Sequence, residues 1–393
     1  MLSQWLRAAG ITLSVSMILA PWSAAFGAPT APPQPSAEVQ ALLQQASQAE
    51  QPAERLRLSE AALAKARSLS DQAGEAVALL RMGNGCWLAG EPQKALDCYN
   101  QALPLMRTLG DRAGEAATLH NMGSVYRDLG LPQKALEFYH QALPLMRAVG
   151  DRRGEAATLT NIGVVYSDLG QPRKALAFHN QALPLRRAVG LKRGEAATLT
   201  SIGLVYGDLG QPQKALEFYN QALPLRQAVG DKRGEAATLT SIGMVYNEIG
   251  QPQRALEFYN HALPLQRAVG DKPGEASTLT SVGLVYSILG LPQKALEFYT
   301  QALALQRVVG NRAGEAATLA NIGEDYLNLG QPQKVLECYN RALPLVRAVG
   351  DRAGEAAALN NLGVVYNEIG QPQKALGLYH QALPLQRAVG DQR

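Results

Sequence analysis

The stretch "LTNIGVVYSDLGQPRKALAFHNQALPLRRAVG", residues 159–190, decides the fold. It places Gly163 inside what reads as one helix and Pro184 inside what reads as another, and a helix interior normally penalises both. Nearly the same line returns over residues 199–230. The dipeptide Gly-Glu marks the period: Gly74, Gly114, Gly154, Gly194, Gly234, Gly274, Gly314 and Gly354, always forty apart. Eight uninterrupted repeats therefore fill 74–393, from 74–113 and 114–153 through to 354–393. Upstream, Glu50–Asp71 aligns with Gly170–Leu191, so a ninth, degenerate repeat covers 36–73 and is placed to cap the array. A fixed period of this length is the signature of stacked supersecondary repeats.

Each repeat reads as two helices. Leu119, Met122 and Tyr126 are spaced 3 and 4 apart, an apolar helical stripe. Asp111 is an N-cap, and Glu115 follows in the first turn, where the helix dipole favours negative charge. Pro273 falls in the first turn of its own repeat, where proline is tolerated. Gly130 stops the first helix and Pro132 opens the second, which carries Ala135, Leu136, Tyr139, Ala142, Leu143 and Val149 before Gly150. Two helices and two tight turns, repeated, predict an all-α protein, an α-solenoid.

The residues Leu119, Met122-Gly123, Tyr126, Gly130, Ala135, Tyr139 and Ala142 have a spacing that resembles the tetratricopeptide repeat. The resemblance extends over all eight full repeats. The proline that usually closes the motif is absent and each repeat is longer. In this the chain is similar to the lengthened class of kinesin light chains, of LGN-type spindle adaptors, and of bacterial proteins that pair such repeats with a caspase-like CHAT domain. The resemblance implies a right-handed superhelix whose first helices line an inner, protein-binding groove.

Gly83 to Gly363 form an unbroken column in the first helix. We expect a partner helix to pack there too closely for a side chain, with the small column Ala102 to Ala382 opposite. The proline column, Pro104 to Pro384, lies twelve residues into the second helix, and either ends that helix or kinks it on the solvent side. Ala304 and Ala64 fill this column in otherwise similar repeats, and alanine would not end a helix. The apolar pattern also continues through Leu105 and Leu109, so we expect a kink with the helix continuing.

The N-terminus is different. A start with one positive charge, an apolar run from Ala8 to Ala20 and the small residues Ser23–Ala28 follow the order of a secretory signal. Residues 1–28 are expected to be removed on export, with cleavage after Ala25 or Gly27; the alternative is an uncleaved anchor. Residues 29–35 form a proline-rich linker. No later segment could span a membrane. The expected location is periplasmic or extracellular.

Composition and motifs supply no catalytic chemistry. The chain has 37 basic and 33 acidic residues, net +4, with no basic run, which argues against a nucleic-acid surface. The five histidines share no spacing, and neither G-x-S-x-G nor G-K-[ST] occurs. No cofactor or metal is expected. Cys86, Cys98 and Cys338 read as buried apolar thiols, with a Cys86–Cys98 disulfide as the alternative in an oxidising compartment.

Binding is sought on the first helix. The fourteen tyrosines fall seven in the Tyr126 column and seven in the Tyr139 column, leaving none spare. Trp87 alone breaks the pattern after residue 28, as a groove anchor or as packing against the degenerate repeat. By resemblance, Asn121, Asn161, Asn321 and Asn361 match asparagines that hydrogen-bond an extended peptide; a capping or inter-repeat hydrogen bond is the other reading. Val164, Leu204, Met244 and Leu284 give an apolar stripe. Beside it run Asp128, Asp168, Asp208 and Glu248, whose charge opposes the dipole at a helix C-terminus. Either a basic residue of the neighbouring repeat, such as Lys134 or Lys174, or a basic partner should offset them. We expect a non-enzymatic scaffold that holds a peptide or protein segment in this groove. The alternatives are a self-assembling structural protein and the regulatory half of a split system with a separate CHAT-like effector. The last repeat, 354–393, is an ordinary internal one, so self-association through it into a homodimer is also expected.

Overall fold

A computed structural model describes residues 32–390; the expected signal segment lies outside them. Among the described residues there are eighteen helices and no strand. The first, α1, spans Ala37–Gln48, and α2 spans Pro52–Ser68; both fall in the degenerate repeat. Then come α3 (Gln72–Leu88), α4 (Pro92–Thr108), α5 (Arg112–Asp128), α6 (Pro132–Ala148), α7 (Arg152–Asp168), α8 (Pro172–Ala188) and α9 (Lys192–Asp208). They continue with α10 (Pro212–Ala228), α11 (Lys232–Glu248), α12 (Pro252–Ala268), α13 (Lys272–Ile288), α14 (Pro292–Val308), α15 (Arg312–Asn328), α16 (Pro332–Ala348), α17 (Arg352–Glu368) and α18 (Pro372–Gly390). The described residues divide into two compact units, 32–205 and 206–390. Within each, helices pack in consecutive pairs, α5 on α6 or α13 on α14, and each pair packs less extensively on the next.

Local chemistry sets every boundary. In seven first helices an Asp or Asn caps the start; Asp111 Oδ1 accepts from the Gly114 amide at 2.9 Å. At the other end of α5, Gly130 adopts φ +72°, its amide donates to Arg127 O, and Leu131 N donates to Tyr126 O at 2.9 Å. This closes the helix as a Schellman motif, for which the left-handed conformation of glycine is needed. Ser70 takes the same conformation at φ 53° in the degenerate repeat. Each second helix starts on its own proline. It also continues through the internal one: α6 extends past Pro144, which is exposed. The helix-ending reading of the proline column is therefore set aside.

The glycine column is close-packed, but against a different column from the one expected. A Cβ added to Gly283 would lie 2.5 Å from Cε1 of Tyr299, and one on Gly123 would lie 2.7 Å from Cδ1 of Tyr139. The phenol ring of the second helix lies over the glycine, so the Tyr99–Tyr379 column and its His179, not the Ala102–Ala382 column, fills the space. The other tyrosine column stacks on phenylalanine within its own repeat, as in Tyr126 on Phe138 with ring centroids 5.2 Å apart. A lysine also lies over that ring, with Lys134 Nζ 5.4 Å from its centroid. This explains why Tyr, Phe and Lys recur together.

The recurrent Glu of Gly-Glu has a partner too. Glu115 accepts from Arg107 Nε at 2.7 Å across the turn from α4 to α5, and six further Arg–Glu pairs repeat that bridge. The arginines are about half exposed, so each bridge adds only about 0–1 kcal/mol. Their common contribution is to fix the turn between repeats.

Candidate functional site

The first helices place the columns at 121, 124 and 128 on one face, since offsets of three and four residues bring side chains together. Their fates differ. Asn121 and Asn161 are buried and their Nδ2 groups donate inside the protein, while Asn121 Oδ1 has no partner. Asn121 Nδ2 donates to Asn84 Oδ1 at 2.8 Å, and Asn161 Nδ2 donates to the Tyr139 hydroxyl at 3.3 Å and to Ser124 Oγ at 3.4 Å. Asn361 donates to the Tyr339 hydroxyl at 2.7 Å, while Asn321 is half-buried. Three of the four asparagines thus make the inter-repeat hydrogen bond, tying a first helix to the tyrosine or asparagine of the preceding repeat. The repeats with serine at this column bond instead to their own helix, as in Ser201 Oγ to Ala197 O at 3.1 Å.

The apolar stripe is more open. In residues 32–205, Val164 and Leu204 are half-buried; in residues 206–390, Leu284 and Val364 are half-buried and Met244 is covered. Glu324 stands exposed in this column. Beside the stripe, Asp168, Glu248 and Ile288 are exposed and Asp208 is half-buried.

Asp128 is held by Arg127 at 2.7 Å and by the indole N–H of Trp87 at 3.0 Å. Lys134 and Lys174, expected to offset the acids, lie over the rings of Tyr126 and Tyr166. Trp87 is half-buried against a core cluster that includes Cys86, Tyr99 and Met122. It reaches forward to the next repeat through Asp128, a role the sequence reading did not consider. Cys86, Cys98 and Cys338 are free and buried; burial pushes the Cys98 thiol up to about 11. The disulfide alternative for Cys86 and Cys98 is not realised in this structure.

Three deviations from the columns carry buried polar groups that the sequence reading passed over. Asp325 stands where six other repeats have valine, and is 1% exposed. Ser287 Oγ donates to its Oδ1 at 2.5 Å, Oδ2 has no partner, and burial raises its pKa. His179 stands where seven repeats have tyrosine; neither ring nitrogen has a partner, and burial pulls its pKa down to about 4. Buried His120 meets Thr158 Oγ1 through Nδ1 at 2.8 Å; burial, Arg127 and Arg186 pull it down to about 3. For His179 and Asp325 the signal was a break in a nearly uniform column; the column of His120 also varies at Leu80, Ala320 and Asn360 and gave none. Among the described residues no three His, Cys, Asp or Glu side chains group to hold a metal ion, and no helix is long and apolar enough to cross a membrane.

The tetratricopeptide repeat profile matches residues 114–188, 194–268, 235–307 and 314–388. No curated protein matches the chain in sequence. Among solved structures, a Signal Transduction ATPase with Numerous Domains carrying a tetratricopeptide repeat sensor, from Pyrococcus horikoshii, is 16% identical with a TM-score of 0.67; the match covers 90% of this chain and 53% of that one. The apo form of the quorum sensor NprR from B. thuringiensis is 16% identical with a TM-score of 0.66, covering 89% and 99%. A Rap protein complexed with competence and sporulation factor is 16% identical with a TM-score of 0.61, covering 91% and 99%. At these identities the likeness is one of fold.

Proposed function

Because the chain belongs to the tetratricopeptide repeat family, we propose that it is a non-enzymatic scaffold that binds a peptide or protein segment on the exposed faces of its first helices. The observation that carries this reading is the partly open apolar column within residues 206–390, at Leu284 and Val364, with an exposed acid at Glu248; residues 32–205 repeat the pattern by themselves at Val164 and Asp168. Apolar side chains left open beside carboxylates suit a segment that is apolar and somewhat basic. This reading does not rely on Asn121 and Asn161, which are buried and whose Nδ2 groups donate between repeats.

An array of random twelve-residue peptides with blocked ends tests it. The full chain should retain peptides rich in Leu, Ile, Lys and Arg. A Leu284→Ser, Glu248→Lys double variant should lose them while its circular dichroism is unchanged. Retention with no bias of composition, or an unaltered profile for the variant, would refute the reading.

A second reading concerns copies of the chain. Leu383 on α18 is 43% exposed, whereas its equivalent Leu143 on α6 is 7% exposed. That exposure supports a two-fold contact through this face. Light scattering at about 100 μM should show a dimer that Leu383→Gln dissolves; a monomer would refute it. Export through residues 1–28 remains our proposal as well, tested by N-terminal sequencing of the protein from its host.

A further inference from the structure

The start of α9 departs from its equivalents in a way that defines a ligand. In the seven other first helices of the full repeats, the residue at the cap position is Asp or Asn, and its oxygen accepts from the amide three residues on. At α9 this residue is Leu191, which has no acceptor. The Gly194 amide therefore lacks the side-chain oxygen that Gly154 and Gly234 receive.

Arg186 of α8 lies against this same turn. It is 7% exposed, and its Nε has no hydrogen-bond partner. Its guanidinium is seated over Gly194: a Cβ added there would meet Nη1 at 2.9 Å and Cζ at 3.1 Å. One repeat later Nε is likewise without a partner, but the cap carboxylate is present. Arg226 is equally buried, Asp231 Oδ2 accepts from its Nη1 at 2.6 Å, and Asp231 Oδ1 accepts from the Gly234 amide at 3.2 Å. A single carboxylate there neutralises the buried guanidinium and caps the helix.

A second arginine lies within electrostatic reach of Arg186. Arg233 lies 3.9 Å from Asp271, the cap of the following repeat. The residue at the corresponding position one repeat before α9 is Arg153, and the cap it would address is Leu191. Arg153 and Arg186 instead repel each other, and burial and that repulsion lower the pKa of Arg186. The buried Arg186 guanidinium and an uncapped helix N-terminus thus meet where the carboxylate of an aspartate is absent, with Arg153 within electrostatic reach. A buried unpaired charge is strongly unfavourable, and a cation at a helix N-terminus opposes the dipole.

We propose that the N-terminus of α9 is a binding site for a carboxylate, which completes the Arg186 pair and caps the Gly194 amide in place of Leu191. The carboxylate comes from an acidic side chain of a bound polypeptide or from a free carboxylic acid. The site uses none of the stripe residues and is independent of the peptide reading above.

Calorimetry on the full chain at pH 7 tests the site, with sodium acetate replacing sodium chloride at constant ionic strength. The wild type should show a saturable rise in Tm with acetate. Leu191→Asp supplies the carboxylate internally, so it should melt higher than wild type without acetate and lose the acetate response. Arg186→Met places the residue native to α4 and α6 (Met106 and Met146), so it should fold and bind acetate about tenfold more weakly or worse. Acetate should also move the Gly194 amide proton resonance downfield, which a purely structural arginine would not produce. The blocked tripeptide Ac-Gly-Asp-Gly-amide separates the sources: tighter binding than acetate assigns a polypeptide carboxylate, and equal binding a free acid. An acetate response that is absent in wild type, or identical in all three proteins, overturns the proposal.

Discussion

Gly283 and Gly377 both sit inside helices, yet their surroundings differ completely. Gly283 faces the Tyr299 ring, whereas a Cβ on Gly377 would meet nothing within 4 Å. Gly283→Ala should lower stability by about 1–3 kcal/mol through overpacking. Gly377→Ala should raise it by about 1 kcal/mol, since only helix propensity is at stake. Urea titration of the two variants checks the opposite signs. His179 sets a pH dependence. Its pKa falls from the ordinary 6.5 to about 4 on folding, so the folded state excludes a proton that the unfolded chain binds. Stability is fully present above pH 6.5 and is lost as pH falls from there towards 4, and His120 acts in the same direction. His179→Tyr restores the residue of the column and should flatten part of that slope. Urea midpoints of wild type and variant between pH 7.5 and 4.5 measure the difference.

At the scale of the helix, the internal prolines are a standing loss that repetition tolerates. Pro264 lies inside α12, yet the helix runs unbroken from Pro252 to Ala268. Ala304 occupies the same position in α14, which is of equal length, so the fold does not need the proline. Pro264→Ala restores a backbone donor and removes the clash with the preceding turn, and should raise stability by about 1–3 kcal/mol. A rise in Tm without loss of helical ellipticity is the expected observation; a fall would mean that the proline shapes the packing between neighbouring pairs.

For the whole molecule, contacts between consecutive helix pairs predict additive behaviour. Excising 274–313 joins Pro273 to Gly314 and keeps the period, with Asp271 placed to cap the new first helix. Gln266, which donates to Thr278 at 2.9 Å, would then face Thr318, the residue to which Gln306 donates in the same way. The shortened chain should keep its ellipticity per residue and show a smaller urea m-value, in proportion to the surface lost. Loss of ellipticity per residue would contradict a nearest-neighbour account.

The sequence by itself determined the period, the helix boundaries and the family, because these rest on local chemistry repeated many times: an aspartate that caps, a glycine that turns left-handed, a proline that starts a helix. It also showed that the glycine column marks close packing. Only the tertiary structure decided which surface does what, because that depends on which side chain of the neighbouring repeat arrives at each position. The asparagines that resembled ligand contacts are consumed by Asn84 and Tyr139 of the preceding repeats, the lysines expected on the acids lie on tyrosine rings, and Trp87 is tied to Asp128. Leu191, which the sequence analysis did not single out, breaks the column of cap residues, but only the packing of Arg186 over Gly194 turns that break into a site, because a buried guanidinium needs a carboxylate and Leu191 supplies none.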